Sequence, residues 1–192
     1  MDSIFGLVGK GFVIIAADAS AKRSIIVYKQ DDDKIMELDS HKLLAGAGPQ
    51  ADCSNFSEFI QKNFKLYELN NDLKLDTQAS AAYIRNELAQ ALRKGPYQTN
   101  MLLAGYDDDT GASLYFMDYL AAQAKIDYAA QGYAAYFTLS VMDRSWKPNM
   151  DEAAAVAVIK QCIHELQTRF MISQPQFYVK IVDKNGTRTI SL

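Results

Sequence analysis

The place where this sequence could do covalent chemistry is its beginning. Residues 3–8 are mostly apolar, Gly9-Lys10-Gly11 is a turn, and residues 12–17 (FVIIAA) form a second apolar run closed by Asp18. Two such runs around a short glycine-containing turn predict a β-hairpin. The second run has little polar alternation, so it should be covered on both faces, in the middle of a layered domain. A buried strand that starts with the chain suits one kind of catalysis, in which the first residue is the nucleophile and its own amine the base. Here that place holds Met1-Asp2, and Asp2 has no hydroxyl. The question the sequence poses is whether the chain belongs to that class and has lost its chemistry.

The other reactive groups offer less. Asp31-Asp32-Asp33 could suggest a cation site, but no ligand spacing or second acidic cluster follows, and the run reads as a solvated turn. Cys162 and His164 are two residues apart and fall on different sides of a helix, the wrong geometry for a dyad or a metal site. His41 follows a turn and is expected at the surface. Cys53 and Cys162 are expected as small buried residues. By composition alone, Asp18 is a turn residue and Lys34 a solvated one. No metal and no cofactor is expected.

Charge and composition narrow the classes further. The chain has 192 residues, enough for one domain over 1–192, with no linker, repeat or low-complexity tract. Apolar content is 49% and charged content 22%, as in soluble globular proteins. The net charge of −3 leaves no basic stripe for nucleic acid. No apolar run is long enough for a membrane span, and Asp2 and Lys10 break the pattern of a signal peptide. Two cysteines inside helices form no disulfide framework, which points to a reducing, intracellular compartment.

The elements that would position these groups can be read in order. Strands are predicted over 24–29, 34–38 and 42–47, with residues 19–23 as a bend. Gly46-Ala47-Gly48-Pro49 is a sharp strand-to-helix junction, with Pro49 in the first helical turn. The helix after it presents Phe56, Phe59, Ile60, Phe64 and Tyr67 as one stripe. Asp76 caps a second helix with Tyr83, Ile84, Leu88 and Leu92 inward, and Gly95-Pro96 stops it. Strands are predicted over 97–106, 112–119 and 124–128. A helix follows from Tyr133 to about Asp143. Residues 149–152 resemble a capping box for the next helix, whose Val156, Ile159, Ile163, Leu166 and Phe170 face inward. Strands over 177–182 and 187–191 flank Asn185-Gly186, a strong hairpin signal. Segregated runs of strands and helices argue an α+β fold. Two antiparallel sheets face to face, with a helix pair on each outer side, would bury every stripe. Tyr115, Tyr119, Tyr128, Tyr133 and Tyr136 are candidates for subunit contacts.

This order, with these residues, resembles the proteasome beta-subunit family from end to end. The pieces are residues 12–18, Lys34, Gly46-Ala47-Gly48 with Ala51-Asp52-Cys53, and residues 102–107, 132–137 and 182–186. Residues 97–107 (YQTNMLLAGYD), 116–122 (FMDYLAA) and 132–144 (GYAAYFTLSVMDR) look like the beta type-2 branch, ring position four of the eukaryotic 20S core. The start at Met1-Asp2 without a propeptide is similar to that branch too.

The resemblance implies the four-layer αββα sandwich of the N-terminal nucleophile hydrolases. The family's chemistry uses an N-terminal threonine, a lysine and an aspartate beside it, an oxyanion glycine, and a late serine and aspartate. Asp18, Lys34 and Gly48 match the aspartate, lysine and glycine in one register. That register places the threonine's slot at Asp2, within one residue. Tyr133 stands in the serine's slot, and Phe170-Met171 near that of the late aspartate. Asp2, Asp18, Lys34, Gly48 and Tyr133 are therefore expected to be vestigial positions, with no catalytic residue, and Asp18–Lys34 a structural ion pair. Ser3 would serve only as residue one, which Asp2 blocks.

The resemblance implies a non-catalytic subunit that closes a seven-membered beta ring and walls the chamber. Its partners would be beta type-3 and beta type-5 neighbours, the alpha ring and the opposite beta ring, in cytoplasm and nucleus. The competing reading is a free-standing peptidase of the same fold with an unrecognised nucleophile.

Overall fold

The computed structural model describes residues 2–192; the expectation for Met1 lies outside the described residues. In chain order the elements are β1 (Ser3–Gly9), β2 (Phe12–Asp18), β3 (Ala21–Arg23), β4 (Ile26–Lys29), β5 (Ile35–Asp39), β6 (Lys42–Ala47), α1 (Gln50–Asn71) and α2 (Thr77–Ala91). The second half contributes β7 (Asn100–Asp107), β8 (Gly111–Met117), β9 (Gln123–Ile126), β10 (Tyr128–Gly132), α3 (Ala134–Ser145), α4 (Glu152–Arg169), β11 (Phe177–Asp183) and β12 (Gly186–Ile190).

Ten of the strands form two five-stranded sheets, in the orders β10-β1-β2-β11-β12 and β5-β6-β7-β8-β9. All pairings are antiparallel. Alternation along the strands builds three apolar layers. In β2, Val13, Ile15 and Ala17 enter the layer between the sheets, with Leu43 and Ala45 of β6 and Leu102 and Ala104 of β7. Phe12, Ile14 and Ala16 face the other way, onto Ala155, Ile159, Cys162 and Leu166 of α4. On the far side, Leu44, Met101 and Leu103 pack against Phe56 and Ile60 of α1 and Ile84 and Leu88 of α2. The result is helices, sheet, sheet, helices: an αββα sandwich. Each Leu, Ile or Phe so buried contributes about 1.5–3 kcal/mol. Because β2 is buried along its whole length, its end is a rigid platform.

Several local expectations are corrected. Beyond the predicted strand over 124–128, residues 128–132 form a separate strand, β10, which pairs with the free side of β1, Ser3 opposite Gly132. Its five residues are too short to show a period. Residues 97–99 precede β7 rather than belonging to it, and 21–23 are extended as β3. Phe59 and Tyr67 are 40% exposed. Each lies three residues after a buried one, about 60° around the helix from the inward stripe. On α4 the buried stripe is Ala155, Val158, Ile159, Cys162 and Leu166; Val156 and Ile163 sit at its margin. Asp151, not Asn149, is the N-cap, accepting the Ala154 N–H at 2.8 Å. Tyr115 is a core residue, whereas Tyr119, Tyr133 and Tyr136 are exposed. No helix among the described residues is long and apolar enough to cross a membrane.

Candidate functional site

The five residues singled out in the sequence converge at one end of the sandwich. Asp18 closes β2 with its side chain fully buried. Its Oδ1 accepts the Ser3 N–H at 2.8 Å and its Oδ2 the Ser20 N–H at 3.2 Å. Asp18 therefore ties the start of β1 to the chain leaving β2. It is not a solvated turn residue.

Lys34 lies just before β5 and is 10% exposed. Its Nζ donates to Asp2 Oδ1 at 2.6 Å, Asp18 Oδ1 at 2.9 Å and the Ser20 carbonyl at 2.9 Å. The other oxygen of Asp2, Oδ2, accepts the Gly48 N–H at 3.1 Å. The Asp2 carbonyl accepts the Tyr133 N–H at 3.0 Å. Ser3 points elsewhere: its hydroxyl is buried and makes no hydrogen bond among the described residues.

Two glycines make this approach possible. Gly132 has φ +65°, and a Cβ there would lie 2.2 Å from the Asp2 carbonyl oxygen. At Gly48 (φ +154°) a Cβ would lie 2.2 Å from the Gln98 carbonyl oxygen. A side chain at either position would push the backbone off the site.

The electrostatics follow from two carboxylates facing one ammonium. Burial raises the Asp18 carboxyl above its ordinary value, against the pull of Lys34 and the Ser3 N–H. Burial works to lower the pKa of Lys34, but the Asp18 and Asp2 carboxylates overcome it and the net shift is upward. Lys34 is thus held as a cation, not as a neutral base.

A cavity of ≈720 Å³ opens beside the cluster, walled by Asp2, Lys34, Met36, Ala47, Gly48 and Tyr133 among others. Cys53 also borders it, with its sulfur 3.1 Å from the Thr99 hydroxyl. Burial pushes that thiol up to about 11, and Cys162 up to about 12. His41 bonds Ser40 at 2.8 Å and is half-buried rather than free at the surface. His164 is exposed on α4 while Cys162 is buried. Neither histidine borders the cavity.

Tyr133 and the residues expected near the late aspartate's slot do meet. The Tyr133 ring stacks on Phe170, with centroids 5.1 Å apart. Met171 beside it is 94% exposed.

The sequence reading missed Lys180. Its Nζ lies 2.8 Å from Asp33 Oδ2 and 2.8 Å from the Ile35 carbonyl oxygen, and the side chain is 8% exposed. Asp33 Oδ1 in turn accepts the Ile35 N–H at 3.0 Å. Asp33 stays exposed, at 39%, as a solvated turn residue would, but with Lys180 it also clamps the segment that presents Lys34. A signal was available in the sequence. Lys180 alternates with Tyr178 and Val182, which both enter the layer between the sheets, so a lysine there needed a buried partner.

Comparison with known proteins identifies the family. The family described as proteasome subunit matches residues 2–182. The chain is 50% identical over 188 residues to a proteasome subunit beta type-2-A of Arabidopsis thaliana, covering 98% of this chain and 92% of that one. It is equally similar to a beta type-2 subunit of Oryza sativa, with 98% and 89% covered. A Schizosaccharomyces pombe protein named as a probable beta type-4 subunit is 42% identical over the full length of both chains. With a match across nearly every residue, and a fold of two facing sheets between helix pairs, the chain belongs to the proteasome subunit family.

Proposed function

We propose that this chain is a non-catalytic, structural beta subunit of a 20S proteasome core, which closes the beta ring and walls the proteolytic chamber. The observation that carries the reading is the place of Asp2. Its carboxylate lies between the Lys34 ammonium and the Gly48 N–H, where the resemblance calls for an attacking hydroxyl. A side chain held this way offers no hydroxyl for the attack, and both of its oxygens are engaged. Ser3 and Cys53 do not replace it: one hydroxyl is buried without a partner among the described residues, and the other thiol is held neutral. Asp2, Asp18, Lys34, Gly48 and Tyr133 are then vestigial positions that now stabilise the fold.

The surface supports assembly. Tyr136 and Met171, at the ends of α3 and α4, are 82% and 94% exposed. Leu66, Leu69 and Leu73 are exposed along and just past the end of α1, and Ile25 to Tyr28 on the β3–β4 hairpin. Apolar patches on several sides suit a subunit with several neighbours. The neighbours in this reading are beta type-3 and beta type-5 subunits, the alpha ring and the opposite beta ring, in cytoplasm and nucleus.

Native mass and covalent labelling test the proposal together. The protein in its own cells should travel in a complex of several hundred kilodaltons, and a threonine-directed covalent inhibitor should label other subunits of that complex and not this one. A stable monomer as the main cellular form, or labelling of this chain, would sink it.

A further inference from the structure

Lys34 is saturated. An ammonium has three N–H donors and no acceptor, and all three are used, on Asp2 Oδ1, Asp18 Oδ1 and the Ser20 carbonyl. Two of these acceptors belong to the last residue of β2 and to Ser20, two residues beyond it. The third is different: Asp2 precedes β1, and its side chain forms part of the cavity wall. Its two oxygens are divided, one to the cation and one to the Gly48 N–H at 3.1 Å. A cation on one oxygen and a backbone N–H on the other is how proteins hold a carboxylate ligand.

We propose that Lys34 and Gly48 form a carboxylate-binding cradle that the chain fills with its own Asp2, and that the matching external ligand is a carboxylate, as on a free acid or at the C-terminus of a peptide. The inference rests on the reading of Asp2 as a bound group and not a nucleophile. With Asp2 in place, two carboxylates already face one ammonium and repel a third. With Asp2 withdrawn, Lys34 keeps only Asp18 as a charged partner, and two donors are left unmade beside a cavity of ≈720 Å³. An external carboxylate that replaces the lost one makes charge-assisted bonds to both donors, stronger than those to the water that would otherwise meet them. The walls next to the cradle, Met36 and Ala47, offer an apolar bed for the atoms behind such a carboxylate. Asp2 thereby keeps the acid ends of peptides from lodging on this wall.

The test uses assembled core particles carrying this subunit with methyl-labelled Met36 and Ala47, their catalytic subunits first blocked by a covalent inhibitor. Acetate, acetyl-trialanine acid and acetyl-trialanine amide are titrated into wild type, Asp2→Ala and Asp2→Asn. Intact mass fixes the state of residue 1 in each preparation. In Asp2→Ala the acid should shift both signals saturably, at least about tenfold more tightly than the amide, while wild type responds to neither. Acetate binding as tightly as the peptide acid also supports the cradle and assigns it to small acids. Acid and amide acting alike, no response in an assembled Asp2→Ala particle, or an equal response in wild type would each overturn the inference. If Asp2→Ala does not assemble, Asp2→Asn decides: its single acceptor oxygen can meet only one of the two donors and its NH2 faces the other, so the acid should displace it and the amide should not. Labelling by the inhibitor bears only on the subunit's catalytic status, so the two readings fail separately.

Discussion

The rings of Tyr133 and Phe170 stack with centroids 5.1 Å apart and planes inclined by 25°. Tyr133 caps the start of α3 and Phe170 the end of α4. The resemblance calls for a serine at the first of these places and for an aspartate near the second. An aromatic pair stands where a hydrogen-bonded pair would complete a proton network. Such a pair contributes roughly 0.5–1.5 kcal/mol beyond its buried area, but it cannot carry a proton.

Asp2→Thr, processed so that threonine begins the mature chain, should therefore not create a protease. The hydroxyl would sit by Lys34, Asp18 and Gly48, but no polar side chain would replace the lost serine and aspartate. Members of such networks act as a unit. A missing proton-transfer partner alone costs roughly 10²–10⁴ in rate. The check is the rate at which a threonine-directed inhibitor labels this chain in assembled particles. Labelling as fast as on genuine catalytic subunits would show that the serine and aspartate do not matter.

Lys34→Ala should impair folding or assembly and spare the chemistry of other subunits. It strands Asp18, whose side chain is fully buried, and leaves Asp2 facing it. Stranding one partner of a buried pair costs about 3–5 kcal/mol. Incorporation into particles should fall, with peptidase turnover per assembled particle unchanged. The pH dependence has a definite sign. The pKa of Lys34 is raised above 10.5 in the folded chain, so its stabilisation is full below that pH and fades as pH climbs through the higher folded value. Denaturation of assembled particles above pH 10.5 should lose that component in Lys34→Ala.

Lys180→Ala should loosen the segment that carries Lys34, while Lys180→Met should do so less. Both lose the bonds to Asp33 and to the Ile35 carbonyl. Methionine keeps the apolar stem between the sheets, and alanine does not. A stranded buried carbonyl costs about 1–3 kcal/mol. Hydrogen exchange at residues 33–37 should speed up in the order wild type, Lys180→Met, Lys180→Ala. Equal protection in all three would show that Lys180 is incidental.

Cys53 should resist alkylation although it borders the cavity. With its thiol pushed up to about 11, only about one molecule in a thousand carries the thiolate at pH 8. Native protein should react with iodoacetamide about 100-fold more slowly than a thiol at the ordinary value of 9.0. Unfolding should abolish the difference. Fast labelling of the folded protein would mean that Cys53 is activated.

The sequence by itself determined the layers, because each depends on local periodicity. Residues 12–17 carry no polar alternation and became the central strand; Asp76 and Asn185-Gly186 mark a cap and a turn within a few residues of themselves. Asp18, Lys34 and Gly48 were legible as a set only through resemblance, since nothing local links positions 16 and 14 residues apart. Tertiary structure alone decided the rest. β10 was hidden because five residues show no period; it is a strand only because β1 offers a free edge. Asp33 and Lys180 read as a solvated charge and an ordinary strand residue, yet folding brings them to 2.8 Å across 147 positions of chain. The fate of Asp2 was decided the same way. Its type ruled out a hydroxyl, but only the closing of the two sheets set a cation on one of its oxygens and a backbone N–H on the other, because hydrogen bonds between distant residues are written in the packing and not in the local sequence.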